Sequence, residues 1–188
     1  MTDGRITDPR ALRALAHPTR WKLIELLGLE RTATATRCAE YSGESVASCS
    51  YHLNMLAKYG FVEHASGGQG REKPWRLTRR DQNWSAVDAD PETALAAETL
   101  SEVFLDHETA QVKAWVRRAS QEAREWQQAA GIEGRTAHLT AEELAGVREA
   151  FDAALEPYRT RLDDPAARPS DSRAVRLLLA AWLPRPSP

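Results

Sequence analysis

Apolar positions along this chain change their period three times, and each change marks an element. Between residues 8 and 60 they recur every three or four residues in short runs closed by proline or glycine, the mark of several short amphipathic helices. Asp8-Pro9 opens the first, a cap residue followed by proline at the first helical position. Leu12 and Leu15 give it an apolar face before His17-Pro18 breaks it. A second helix starts at Pro18 and carries Trp21, Leu23, Ile24, Leu26 and Leu27 to Gly28, where a C-terminal stop is expected. Its apolar stripe is broad, which places it at the centre of the core. Arg31 to Thr36 form a connection, and a short third helix runs from about Ala35 to Tyr41 and ends at Ser42-Gly43. The fourth, from Ser45 to a stop at Tyr59-Gly60, is expected to bury Val46, Cys49, Leu53 and Leu56.

The pattern then shortens to strands. Phe61 to His64 and Trp75 to Thr78 flank the glycine-rich tip Gly67-Gly68-Gln69-Gly70, with Arg71, Glu72 and Lys73 between tip and return. Two helices joined by a tight glycine turn and followed by a basic hairpin form a winged helix-turn-helix. Residues 81–90 read as a polar linker. Asp90-Pro91-Glu92 repeats the cap-proline start, and the helix it opens is expected to run unbroken to Ala129, roughly 55 Å at about 1.5 Å per residue. Leu100, Phe104, His107, Gln111 and Trp115 share one side, widened by Val112, Val116 and Ala119. With no neighbour close in sequence, that stripe is expected to pack against another subunit.

Gly131 and Gly134 end this element. Leu139 to Leu144 carry a capping box, Thr140 with Glu143, and a hydrophobic staple, Leu139 with Leu144. The helix that follows reaches about Arg161, with Pro157 bending or weakening its last turn. Asp163 to Ser172 are a loop; Arg173 to Leu183 are apolar and fit either helix or strand, read here as a strand; Pro184 to Pro188 are a disordered tail. The expected organisation is mainly α: a winged helix-turn-helix domain over 1–80, the linker, and a helical dimerisation and effector region over 91–183.

Composition narrows the class. At 188 residues and 42% hydrophobic the chain can fold, and no apolar run approaches the ~18–20 residues that span a bilayer. Met1 to Arg5 lack the apolar core of a signal peptide. Cys38 and Cys49 form neither a disulfide framework nor a close metal-binding pair, so a cytoplasmic protein with reduced thiols is expected. The net charge of −2 conceals an asymmetry. Residues 1–80 hold 13 Lys and Arg against 8 Asp and Glu, a net +5, whereas residues 81–188 hold 12 against 19, a net −7. That division suits a module that touches nucleic acid joined to one that does not.

The fourth helix carries the chemistry. Opposite its apolar stripe lie Ala47, Ser48, Ser50, Tyr51 and Asn54, with no carboxylate among them, a surface fitted to a DNA major groove. Ser45, Ala47, Ser48, Ser50, Tyr51, His52, Asn54 and Lys58 are the candidate contacts on this helix, with Arg71 and Lys73 on the wing. Asn54 suits an adenine edge, and the serines reach bases or phosphates. His52 is either a backbone contact or a buried, hydrogen-bonded histidine.

Three segments together resemble a known family. Ala14-Leu15-Ala16-His17-Pro18-Thr19-Arg20, then Ser48-Cys49-Ser50-Tyr51-His52-Leu53, then Tyr59-Gly60-Phe61-Val62-Glu63 are similar in order and spacing to the ArsR-type winged helix-turn-helix regulators of bacteria, over roughly residues 8–80. The resemblance implies a homodimer that binds a near-palindromic operator in double-stranded DNA and usually represses transcription. Metal sensors of that family carry Cys-x-Cys in the helix before the recognition helix, or Asp and His ligands on the dimerisation helix. Here Cys38 stands alone in the first place, and Asp106-His107-Glu108 lacks a second histidine downstream on the same helix. No metal site and no cofactor are therefore expected.

Trp84, His107, Trp115 and Trp182 are candidate lining for an apolar small-molecule effector that releases the DNA. Ordinary packing by large aromatics is the other explanation. An enzyme is not expected, since G-x-S-x-G, a phosphate-binding glycine loop and H-E-x-x-H are all missing. Two other functions stay open: a winged helix that binds another protein, and a metal- or redox-responsive repressor.

Overall fold

The computed structural model describes residues 5–65, 73–79 and 82–184. Its helices are α1 (Pro9–Leu15), α2 (Pro18–Glu30), α3 (Ala35–Ser42) and α4 (Val46–Lys58), followed by strands β1 (Val62–His64) and β2 (Trp75–Leu77). After these come α5 (Pro91–Arg118), α6 (Arg124–Ala129), α7 (Ala141–Leu155) and α8 (Thr160–Asp163). The architecture is mainly α, a winged helix followed by a long helix. The chain divides into two compact units, residues 1–130 and 131–188.

In the first unit, local chemistry fixes where most helices begin. The Asp8 carboxylate accepts from the Arg10 amide, Thr34 from Arg37, Ser45 from Ser48, and Asp90 from both Glu92 and Thr93. α3 stops at Gly43, whose φ of +77° is left-handed, and Gly60 (φ +74°) turns the chain from α4 into β1. The core lies where α1, α2, α4 and the start of α5 meet. Leu12, Leu15, Leu23, Leu26, Leu27, Leu53, Leu56 and Leu100 are fully buried, and Ala96 and Ala97 let α5 approach α1 closely. An Arg13–Glu92 ion pair ties the outer edges of those two helices.

β1 and β2 pair antiparallel, with Val62 opposite Leu77, Glu63 opposite Arg76 and His64 opposite Trp75. A further pairing seats the hairpin: the Trp75 amide donates to Ala33 O at 2.8 Å and the Ala33 amide to Trp75 O at 3.1 Å. β2 is thereby joined to the connection between α2 and α3.

Several expectations are corrected. α2 does not stop at Gly28 but continues to Glu30 and ends at Arg31, whose φ is +68°. Burial of Leu26 and Leu27 holds this turn helical despite the glycine, a tertiary override of propensity. Val46 is 42% exposed because, as the first residue of α4, it projects beyond the end of the core. The long helix does not reach Ala129. After Arg118 it tightens into a 3₁₀ turn (Ala119–Gln121), Glu122 and Ala123 are extended, and α6 follows. No residue beyond Glu108 is buried among those described, so nothing holds a continuous helix there; Gln127 Nε2 donates instead to Ser120 O and Glu122 O.

In the second unit, Thr140 and Glu143 form the reciprocal capping box: the Thr140 amide donates to Glu143 Oε2 at 2.7 Å, and the Glu143 amide to Thr140 Oγ1 at 3.2 Å. α7 gives way to a 3₁₀ turn at Glu156–Tyr158, where Pro157 interrupts the helical bonding. Residues 173–183 are neither strand nor helix. A strand needs a partner edge, and β1 and β2 are the only strands among the described residues. Leu177, Leu178, Leu179, Trp182 and Leu183 are all exposed.

Candidate nucleic-acid interface

α4 presents a polar face because its apolar positions are committed inward. Cys49, Leu53 and Leu56 enter the core, and Ala47, Tyr51, Asn54 and Lys58 then line the outer side at helical spacing. All four are exposed, Tyr51 to 59%, as is the cap residue Ser45. Ser48 and Ser50 are half-buried at the edge of that face. Asn54 Nδ2 donates to Ser50 O at 2.8 Å, which orients its amide and leaves Oδ1 and one N–H outward. Lys58 Nζ lies 5.7 Å from the centre of the Tyr59 ring at the C-terminal end. Between Val46 and Lys58 the helix holds no acidic residue.

His52 does not share this face. It is buried, its ring 4.4 Å from that of His17, and its Nδ1 accepts from Arg20 Nε at 3.4 Å. His17 Nδ1 in turn accepts from the Thr19 amide at 3.2 Å and caps α2. Burial lowers the pKa of both imidazoles, and the Arg20 guanidinium lowers them further. The segment around His17 and the segment around His52 therefore meet in one network, and His52 lies beneath the exposed face of α4 rather than on it.

On the wing, Lys73 is exposed just ahead of β2, and Arg71 lies outside the described residues. Arg76 is engaged with Glu63 across the two strands at 2.6 Å. His64 and Trp75 stack across the hairpin with ring centres 3.8 Å apart.

Of the effector candidates, the fold brings two together. Trp84 and His107 surround Trp21 with Phe104, at 6.0, 6.5 and 5.0 Å between ring centres. Trp84 Nε1 donates to Ser101 Oγ at 2.9 Å, and His107 Nε2 lies 3.2 Å from Glu25. Among the described residues the buried Trp21 Nε1 has no hydrogen-bond partner. Trp21, the centre of this group, was read from the sequence only as a core residue. Trp115 is half-buried farther along α5, and Trp182 is 77% exposed in the second unit.

Both cysteines are buried and free. Burial, with a contribution from Cys49, pushes the Cys38 thiol up to about 12. The Ser42 hydroxyl lies 3.4 Å from Cys49 Sγ. Among the described residues no three His, Cys, Asp or Glu side chains converge as a metal site, and no helix is long and apolar enough to cross a membrane.

Glu44 is the residue that periodicity missed. It sits in the turn, outside any helix, yet its carboxylate folds forward over the first turn of α4 and accepts from Ser48 Oγ at 3.3 Å. The four-residue step from Glu44 to Ser48 was the available signal.

Against known proteins, no family model matches the chain. It is 38% identical over 63 residues to a probable mercury resistance operon repressor of Streptomyces lividans, a stretch covering 34% of this chain and 50% of that protein. The chain thus spans about half the length of the relative it matches.

Proposed function

We propose that this protein is a transcriptional repressor that reads double-stranded DNA as a homodimer. The observation that carries the reading is the outer face of α4, exposed, free of carboxylates along the helix and flanked by a basic hairpin. The Streptomyces relative, named a repressor, supports the same class. A second copy fits α5, whose last turns run beyond its contacts with α2 at Gln111, and which exposes Leu105 and Val116 on its surface. Twofold pairing would set two copies of α4 about one turn of duplex apart, on a near-palindromic operator.

In this reading Ser45, Ala47, Ser48, Ser50, Tyr51 and Asn54 meet the groove, while Lys58, Arg71 and Lys73 hold phosphates. An apolar effector carrying a hydrogen-bond acceptor is supported by the Trp21 cluster and its unpaired indole N–H. The relative's name favours a second reading, a metal response.

Mobility shift with the DNA upstream of the chain's own coding region, against scrambled duplex at two salt concentrations, tests the proposal. Asn54→Ala should relax sequence preference. Arg71→Ala should weaken both duplexes alike and reduce the log–log salt slope by about 0.9. Failure of the unaltered protein to bind any duplex at low salt would overturn the reading in favour of a protein partner.

A further inference from the structure

We infer that Glu44 is a specificity-determining residue of the DNA-reading face and that it selects cytosine; this rests on the function proposed above. Glu44 immediately precedes the cap residue Ser45, at the end of α4 that meets base edges when a helix-turn-helix docks. The side chain is exposed, and both its oxygens are tethered. Oε2 accepts from Ser48 Oγ at 3.3 Å, Oε1 from Thr19 Oγ1 at 3.5 Å, and the Glu44 amide donates to Ser42 Oγ at 3.3 Å. Among the described residues no ion pair neutralises the carboxylate.

A carboxylate only accepts hydrogen bonds. Phosphate oxygens repel it, as do guanine N7 and O6 and thymine O4. The donors a major groove offers are the exocyclic amino groups of cytosine and adenine, and the adenine amino group lies beside the acceptor N7. Cytosine N4 is the partner that meets a carboxylate without an acceptor of its own base alongside. Ser48 reinforces the choice: its hydroxyl proton is committed to Glu44, so it too shows lone pairs outward. The two residues make one acceptor-only patch beside Asn54, which can both donate and accept.

The test is selection from a random-sequence duplex library by the full chain and by Glu44→Ala and Glu44→Gln. The unaltered protein should enrich cytosine at one position of each half-site by about tenfold, the range of a good base contact. Glu44→Ala should lose that position and keep the others. Glu44→Gln should move it toward adenine, whose N6 and N7 match an amide. Both variants should bind non-specific duplex more tightly, since a negative charge leaves the phosphate field.

If Glu44→Ala selects the same motif with the same enrichment at every position, the carboxylate serves only the N-terminus of α4 and the inference falls. If the unaltered protein selects no motif, the proposed function itself fails, a result separate from the first.

Discussion

At the scale of single residues, the outer face of α4 depends on which groups the core has already claimed. His52 occupies a position on α4 that sequence alone left open between DNA and core, because an imidazole suits either. The structure decides it through Arg20, 32 residues away, a partner no local pattern reveals. His17 and His52 both use Nδ1 as an acceptor, which requires those nitrogens to be unprotonated. Burial and the nearby Arg20 charge hold both pKa values below the ordinary 6.5, with Glu44 opposing the effect.

The unfolded chain therefore binds more protons than the folded one as pH falls below about 6.5, and stability drops through that window until the folded-state pKa values are passed. The carboxylates of Asp90 and Glu143, held below their usual values, act only in more acidic solution. The urea midpoint should fall between pH 7.5 and pH 5, and His17→Gln with His52→Gln should flatten that fall. An equal fall in the double variant would show that other groups carry it.

At the scale of elements, the joint between α3 and α4 sets the pose of the exposed face of α4. Gly43 occupies it with φ +77°, and apart from its own atoms and its chain neighbours no atom of the described residues lies within 4 Å of where a Cβ would stand. The cost of a side chain there is thus backbone strain alone. Gly43→Ala should destabilise the fold by about 1–2 kcal/mol, the penalty of a left-handed L-residue, and Gly43→Asn by less, as denaturant midpoints would show.

Elements governed by local chemistry were legible. Asp8, Asp90 and Thr140 cap their helices as their positions indicate, and Pro157 lies in the 3₁₀ turn that ends α7. Elements governed by distant partners were not. Gly28 looked like a stop because the packing of Leu26 and Leu27 is invisible in one dimension. The break after Arg118 follows from where the core ends, which no stripe of apolar residues announces. Residues 173–183 are short, apolar and flanked by prolines, which suggests a strand, but among the described residues there is no edge for them to join. Glu44 escaped notice because a side chain folding forward from a turn leaves no periodic trace.

At the scale of the whole molecule, stability is concentrated early in the chain. Every fully buried side chain among the described residues lies between Leu12 and Leu100. A chain ending at Ala130 should therefore unfold cooperatively with nearly the same denaturant midpoint as the full protein. A marked loss would show that residues 131–188 contribute to the core after all. Those later residues keep Leu139, Val147, Tyr158, Leu162 and the 175–183 segment on the surface, and they belong to the half with the net charge of −7.

The seat of the wing has a consequence for how such a protein can diversify. β2 is held to the body at Ala33 and Trp75 by two main-chain hydrogen bonds, which depend on backbone geometry and hardly at all on side-chain identity. Side chains carried on β2 can then change without unseating the strand. In the function proposed above, a lineage can exchange wing contacts such as Lys73 one at a time, testing new operators while the scaffold that presents them is inherited unchanged.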